Sequence, residues 1–276
     1  MFSVACGSTD SNPTAAPSPG SSASATRGAG SPIPSGTPGD ALTGRLLLTR
    51  SNALVVRNMA TGDEQTIVEA SGENFIIDPA WSPDGRKVAY AVQITLDPGN
   101  GDDYGSDVYI ADADGSNATL VVKHEAPGDF HRGPDFSPDG RTLYFTRSII
   151  DRATGSPNPV FDVATLDIAS GQVAEAIPQA YGGEISHDGK KFVYVDLSTG
   201  GQQLVVRDLA TGKNTVLASP DDGLNFFGAP RFSPDDKTVV FAASGAAGSV
   251  PGVRQEPGPF DWLVDLVIGS PAEADG

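Results

Sequence analysis

A chain of 276 residues with 33 Gly and 22 Pro has room for one large domain and is rich in turn formers. Its 18 Lys and Arg against 35 Asp and Glu leave a formal charge of −17, a balance that repels phosphate backbones and argues against nucleic acid as a partner. The single cysteine, Cys6, rules out an intrachain disulfide and a cysteine-based metal site, and no apolar helical run is long enough to span a membrane.

Residues 1–43 are almost all Ser, Pro, Gly, Ala and Thr, with Arg27 the only basic residue. Such a segment cannot bury a core and is expected to be a disordered tether. It opens Met1-Phe2-Ser3-Val4-Ala5-Cys6, followed by Gly7-Ser8. Val-Ala-Cys ahead of a Ser/Pro/Gly tether resembles the end of a bacterial lipobox. That resemblance implies lipidation at Cys6 and an extracytoplasmic place, in the periplasm or at the cell surface. Ser3 stands where the lipobox has an aliphatic residue, and only five residues precede Cys6, so an ordinary thiol in the tether is the other reading.

From Gly44 the pattern becomes short β-branched runs between turns. Arg45–Thr49, Ala53–Arg57 and Gln65–Glu69 read as three strands, a unit (44–74) lacking its first strand. The next unit brings the decapeptide Trp81-Ser82-Pro83-Asp84-Gly85-Arg86-Lys87-Val88-Ala89-Tyr90. It recurs as Phe136–Phe145, as Ile185–Tyr194 with His187 in the proline slot, and as Phe232–Phe241 with Asp236 in the glycine slot. Proline presets φ, aspartate bonds nearby amides and glycine accepts φ > 0, so each copy is a hairpin corner between two strands. The motif serines lie 55, 49 and 47 residues apart, the period of a repeat architecture. Units 75–130, 131–180 and 181–224 each read as a four-stranded antiparallel meander. Unit 225–270 shows three strands, the last at Asp261–Val267. The chain is therefore all-β, and four-stranded units at this period are the blades of a β-propeller. Trp81, Tyr90, Phe136, Tyr144, Phe145 and Phe232 are expected to pack between blades.

The repeat resembles the WD40-like repeat of the TolB family, aromatic-Ser-Pro-Asp-Gly-basic-x-aliphatic-x-aromatic. Trp81 to Tyr90 matches it throughout, Phe136 to Phe145 closely, and Asp107–Gly115 looks like the family's next strand and turn. The resemblance covers about 44–267 and implies a propeller in which the Ser-Pro-Asp-Gly residues are structural. It does not imply one function. The repeat builds the periplasmic TolB protein, extracytoplasmic lipoproteins, sensor ectodomains and the propeller of prolyl-oligopeptidase-like enzymes. Five units fit either a five-bladed ring with irregular closure or an incomplete six-bladed ring.

No catalytic set can be assembled. Gly-x-Ser-x-Gly is absent, as are phosphate-cradling glycine loops after a strand. His124, His131 and His187 show no paired metal spacing, and no cofactor is called for. Asp112–Asn117 alternates oxygen side chains but lacks the bidentate carboxylate of a calcium loop, so it reads as a hairpin turn. His131 and Arg132 precede an innermost strand and are expected at the mouth of the central channel. Long insertions at Gln93–Ser106, Arg147–Pro159 and Ser244–Pro259 occupy one position in their blades and emerge on one face. They carry Asp97, Asp102, Asp103, Tyr104, Arg152, Arg254 and Glu256, a mixed polar set suited to a protein, peptide or glycan. The reading is a monomeric, non-catalytic binding propeller of the cell envelope. The alternatives are the propeller portion of a prolyl-oligopeptidase-like serine peptidase and a sensor ectodomain.

Overall fold

The structure is a computed structural model that describes residues 44–50, 52–95, 103–149, 160–245, 254–256 and 265–269. Cys6, the 1–43 tether, Asp97, Asp102 and Arg152 lie outside the described residues, and Arg254 is described by its backbone alone.

The first blade is β1 (Arg45–Arg50), β2 (Ala53–Asn58) and β3 (Glu64–Glu69), antiparallel and three-stranded. The second is β4 (Phe75–Trp81), β5 (Lys87–Ile94), β6 (Gly105–Asp112) and β7 (Thr119–Val122). The third is β8 (Asp129–Phe136), β9 (Thr142–Ile149), β10 (Val160–Asp167) and β11 (Val173–Pro178). The fourth is β12 (Ala180–Ile185), β13 (Lys191–Asp196), β14 (Gln203–Asp208) and β15 (Asn214–Ala218). The fifth is β16 (Leu224–Phe232), β17 (Val239–Gly245), β18 (Arg254–Glu256) and β19 (Asp265–Gly269).

Three details depart from the sequence reading. The fifth blade has four strands, not three, in the order β16-β17-β19-β18. A three-residue strand such as β18 is too short for period-2 alternation to reveal it. The insertions are shorter than they read, because β5 continues to Ile94, which pairs with Gly105, and Val160 pairs with Ile149. Finally, β6 and β8 pair in parallel at Gly105↔Asp129 and Ser106↔Phe130, joining blades 2 and 3 into one eight-stranded sheet.

Each Ser-Pro-Asp-Gly turn closes on its own serine. Ser82 Oγ donates to Asp84 Oδ1 at 2.7 Å and accepts from the Lys87 amide at 2.9 Å. Ser137, Ser186 and Ser233 repeat both bonds with Asp139 and Thr142, Asp188 and Lys191, and Asp235 and Thr238. The two departures from the motif meet in space. Asp236, at φ 57° in the glycine slot, accepts from the amides of His187 and Asp188, both at 2.9 Å, and its Oδ1 lies 2.8 Å from His187 Nδ1. With histidine in place of proline the turn has a free N–H, and Asp236 satisfies it.

The core lies between consecutive blades. Val193, Val195 and Leu204 of blade 4 meet Leu224, Phe227 and Phe241 of blade 5, while Val108 and Ile110 of blade 2 meet Phe136 and Phe145 of blade 3. Tyr90, Phe136, Phe145 and Phe232 are buried as expected, and Trp81 and Tyr144 are half-buried against the same layers. Each fully buried side chain of this size contributes about 1.5–3 kcal/mol.

Candidate functional site

The innermost strands β4, β8, β12 and β16 all carry a bulge just before the motif. The register shifts between Ile77 and Ala80, Arg132 and Asp135, Tyr181 and Glu184, and Gly228 and Arg231. Asp78, Gly133, Gly182 and Ala229 take φ between 46° and 59° at these bulges. Proline follows three of the four, and its missing N–H suits a place where the ladder is interrupted. The bulges turn Asp135 and Glu184 toward the next blade. Asp135 Oδ2 accepts from the Ile185 amide at 3.1 Å, and Glu184 Oε2 accepts from the Phe232 amide. Burial pushes both carboxyl groups above the usual carboxylate range. They line a cavity of about 530 Å³ with Trp81, Arg132, Tyr181 and Arg231.

Arg132, part of this lining, also meets Phe130 and Gln93. Its guanidinium carbon lies 5.4 Å from the Phe130 ring centroid, and Nη2 donates to Gln93 Oε1 at 2.8 Å. Tyr104 tilts against the other side of the group, its ring 6.2 Å from Phe130 at 52°. Gln93, Tyr104, Phe130 and Arg132 thus form one continuous surface from three separate segments. Among the described residues no carboxylate pairs with Arg132.

Beneath this surface lies a layer of buried polar groups. Gly105 starts β6 so close to β8 that a Cβ would stand 2.5 Å from the Asp129 carbonyl and 3.0 Å from the His124 ring. Ser106 Oγ donates to the His131 carbonyl and accepts from the His131 amide, both at 2.7 Å. His124 is held between two carboxylates, with Nδ1 2.7 Å from Asp107 and Nε2 2.8 Å from Asp103. Both ring nitrogens face acceptors, so the ring is an imidazolium when both carboxylates are ionised. Burial alone would lower its pKa, but the hydrogen bonds of Asp107 and Asp103 outweigh burial and raise it. Arg147 Nη2 donates to Asp162 at 2.8 Å in the same layer.

The residues predicted for binding therefore divide. Tyr104 and Arg132 meet at one surface, and Asp103 anchors the edge of that surface to His124. His131 does not line the channel mouth. It is only 3% exposed, lies edge-on to Phe145 with centroids 5.5 Å apart, and stands 3.4 Å from Asp129. Burial pushes its ring below the ordinary imidazole value, against the pull of the Asp129 carboxylate. Successive strand residues point to opposite faces, so His131 and Arg132 cannot both face the mouth. Sequence reasoning missed Gln93, Phe130, Asp107 and the carboxylates of Asp135 and Glu184. The last two carried a signal, being acids at the same repeat position, one residue before the motif's apolar residue.

His124 has no free ring nitrogen to act as a base, and Ser106 Oγ is committed to the His131 backbone. Among the described residues no group of three or more His, Cys, Asp or Glu could hold a metal ion.

No protein-family model matches the chain. It is 29% identical over 172 residues to an uncharacterized protein of Agrobacterium fabrum, matching 58% of this chain and 52% of that one. It is 29% identical over 174 residues to an uncharacterized peptidase of Bacillus subtilis, matching 63% of this chain and 22% of that one. The chain thus spans about half the length of the first relative and about a fifth of the second. Among solved structures, a putative TolB from Agrobacterium tumefaciens superposes with a TM-score of 0.59 at 21% identity, covering 84% of this chain and 74% of that one. The tricorn protease superposes with a TM-score of 0.50 at 14% identity, covering 73% of this chain and 24% of that one. The fold is a TolB-like β-propeller.

Proposed function

We propose that this chain is a non-catalytic binding propeller of the cell envelope, recognising a protein, peptide or glycan through the Gln93–Tyr104–Phe130–Arg132 surface. The observation that carries the reading is the convergence of two aromatic rings and an arginine on one surface above a buried layer held by the Ser106–His131 and His124–Asp107 hydrogen bonds. Aromatic and arginine side chains on a rigid base are the usual anchors of a recognition surface. The TolB-like fold and the lipobox-like context of Cys6 support an extracytoplasmic site of action, with Cys6 as its lipid anchor.

The test is to immobilise the full chain, expose it to envelope protein extract and to an array of envelope glycans, and repeat both with Arg132→Ala and Tyr104→Ala. A ligand retained by the wild type and lost about tenfold or more by both variants, at unchanged melting temperature, supports the reading. A ligand retained equally by all three chains places recognition elsewhere. The Bacillus subtilis relative motivates a second reading, the propeller portion of a peptidase. That reading requires the gene's reading frame to continue into a hydrolase domain with Gly-x-Ser-x-Gly, and sequencing the locus decides it.

A further inference from the structure

The motif turns of blades 2 to 5 stand at one end of the blades, and of the four junctions between consecutive blades three are closed at that end. Between blades 1 and 2, Arg45 fills the gap. Its guanidinium carbon lies 4.3 Å from the Trp81 ring centroid, and Nη2 donates to the Gly85 carbonyl at 2.7 Å. Between blades 3 and 4, Pro138 packs against Gly189, where a Cβ would stand 3.5 Å from it. Between blades 4 and 5, Asp236 binds His187 and Asp188. Between blades 2 and 3 nothing lies within 4 Å of the Cβ position on Gly140, and a cleft of about 480 Å³ opens there.

The floor of this cleft is apolar, made by Ile110, Val121, Phe136 and Ile168. Its rim carries two carboxylates, Asp84 from one blade and Asp139 from the next. Each holds its own turn through Oδ1, bonded to Ser82 or Ser137 at 2.7 Å. Those serine hydrogen bonds keep both carboxyls below the ordinary range, so both are charged at neutral pH. The one cation in the lining, Lys87, is already paired with Asp112 at 3.0 Å. The cleft is therefore apolar below and carries two carboxylates above, with Arg86 Nε 4.0 Å from Asp84 Oδ2.

The preceding junction shows what chemistry fits. Phe136 and Gly140 occupy the repeat positions of Trp81 and Gly85, the two residues that hold the Arg45 guanidinium. We propose that the cleft between blades 2 and 3 binds a small ligand carrying a guanidinium group on an apolar body. The guanidinium lies over Phe136, donating to the Gly140 carbonyl and to the outer oxygen of Asp139. The apolar body lies on Ile110, Val121 and Ile168. The volume falls within the roughly 300–1,000 Å³ of small-molecule sites. The site opens on the turn end of the blades and does not share the residues of the insertion-face surface.

Titration of the full chain with Nα-benzoyl-L-arginine amide, followed by calorimetry or NMR shifts, tests this. Saturable binding is expected, with the isosteric but neutral citrulline amide weaker by about tenfold, since a charge-assisted hydrogen bond is lost. Asp139→Asn keeps the turn, because the amide oxygen can still accept from Ser137, and should weaken binding by about threefold, as for a partly exposed ion pair. Thr119→Trp, on the cleft wall, should abolish binding at unchanged melting temperature, whereas Arg132→Ala should leave it intact. Equal affinity for the citrulline amide, absence of saturable binding, or full binding by a folded Thr119→Trp chain would each overturn the proposal. If Thr119→Trp does not fold, the Asp84→Asn/Asp139→Asn chain decides, and affinity equal to wild type overturns it.

Discussion

His187 and Asp236 each break the repeat alone and restore it together. A histidine in the proline slot leaves an amide without a partner, and an aspartate in the glycine slot holds a positive φ that aspartate tolerates better than most residues. The hydrogen bond that the His187 ring donates to Asp236 raises the His187 pKa, against the desolvation that opposes it. Burial would raise the Asp236 carboxyl, but the His187 ring and the two amides outweigh it and hold the pKa below its ordinary value. The two signs define a window. The histidine contribution is complete below its unfolded pKa and is lost as pH rises through the raised folded value. The aspartate contribution is complete above its unfolded pKa and is lost as pH falls through the lowered folded value. The melting-temperature gap between wild type and Asp236→Asn should therefore be widest between the ordinary carboxylate and imidazole values, near about pH 5–6, and should narrow as pH rises through the raised His187 value. The His187 side chain is 55% exposed, so solvent screening limits its ionic part to a few tenths of a kcal/mol, while loss of carboxylate bonds to the two amides costs about 1 kcal/mol. A gap that does not vary with pH would mean that the ring is not charged in the contact. His187→Pro with Asp236→Gly rebuilds the repeat and should melt near wild type with no pH-dependent gap.

The elements differ in how plainly the sequence announces them. The Ser-Pro-Asp-Gly corner is legible because everything that makes it lies within six residues, so period, turn and flanking strands follow from local chemistry. Tyr104 and Arg132 stood out in the sequence separately, one in an insertion and the other before an innermost strand, and only the fold brings both against Phe130. Phe130 and Gln93 did not, because a stacked guanidinium depends on which strand ends pass side by side. The parallel contact of β6 with β8 was hidden too. It rests on two residue pairs and on Gly105, where only the absence of a Cβ permits the approach. Gly105→Ala should destabilise the chain by about 1–3 kcal/mol, the usual cost of overpacking a closed site. Gly201→Ala is the control, because its Cβ would meet only Pro220 at 3.5 Å, an ordinary contact, and should change stability by less than about 0.5 kcal/mol. Thermal melts of the two variants compare them directly, and equal stabilities would mean that the β6–β8 contact yields.

At the scale of the molecule, the acid excess, with 35 Asp and Glu against 18 Lys and Arg, leaves few cations, and three arginines hold defined places in the fold. Arg45 closes a junction, Arg147 pairs with the buried Asp162, and Arg132 stacks on Phe130. The blades are nonetheless not a set of equal sectors. The two-pair bridge between Gly105–Ser106 and Asp129–Phe130 makes blades 2 and 3 a single hydrogen-bonded body, while blade 4 is a separate sheet joined to its neighbours by side chains. A repeat array in which every unit meets its neighbours only through interfaces frays unit by unit. Here two units must open in one event. Native-state amide exchange should show β5 and β9 merging into one isotherm with a common opening free energy, and β13 following another. If β5 and β9 open at different denaturant concentrations, the bridge carries no cooperativity. If they open together, the chain has its own unit of disassembly, and the blade pair beneath Tyr104 and Arg132 is lost or kept as a whole.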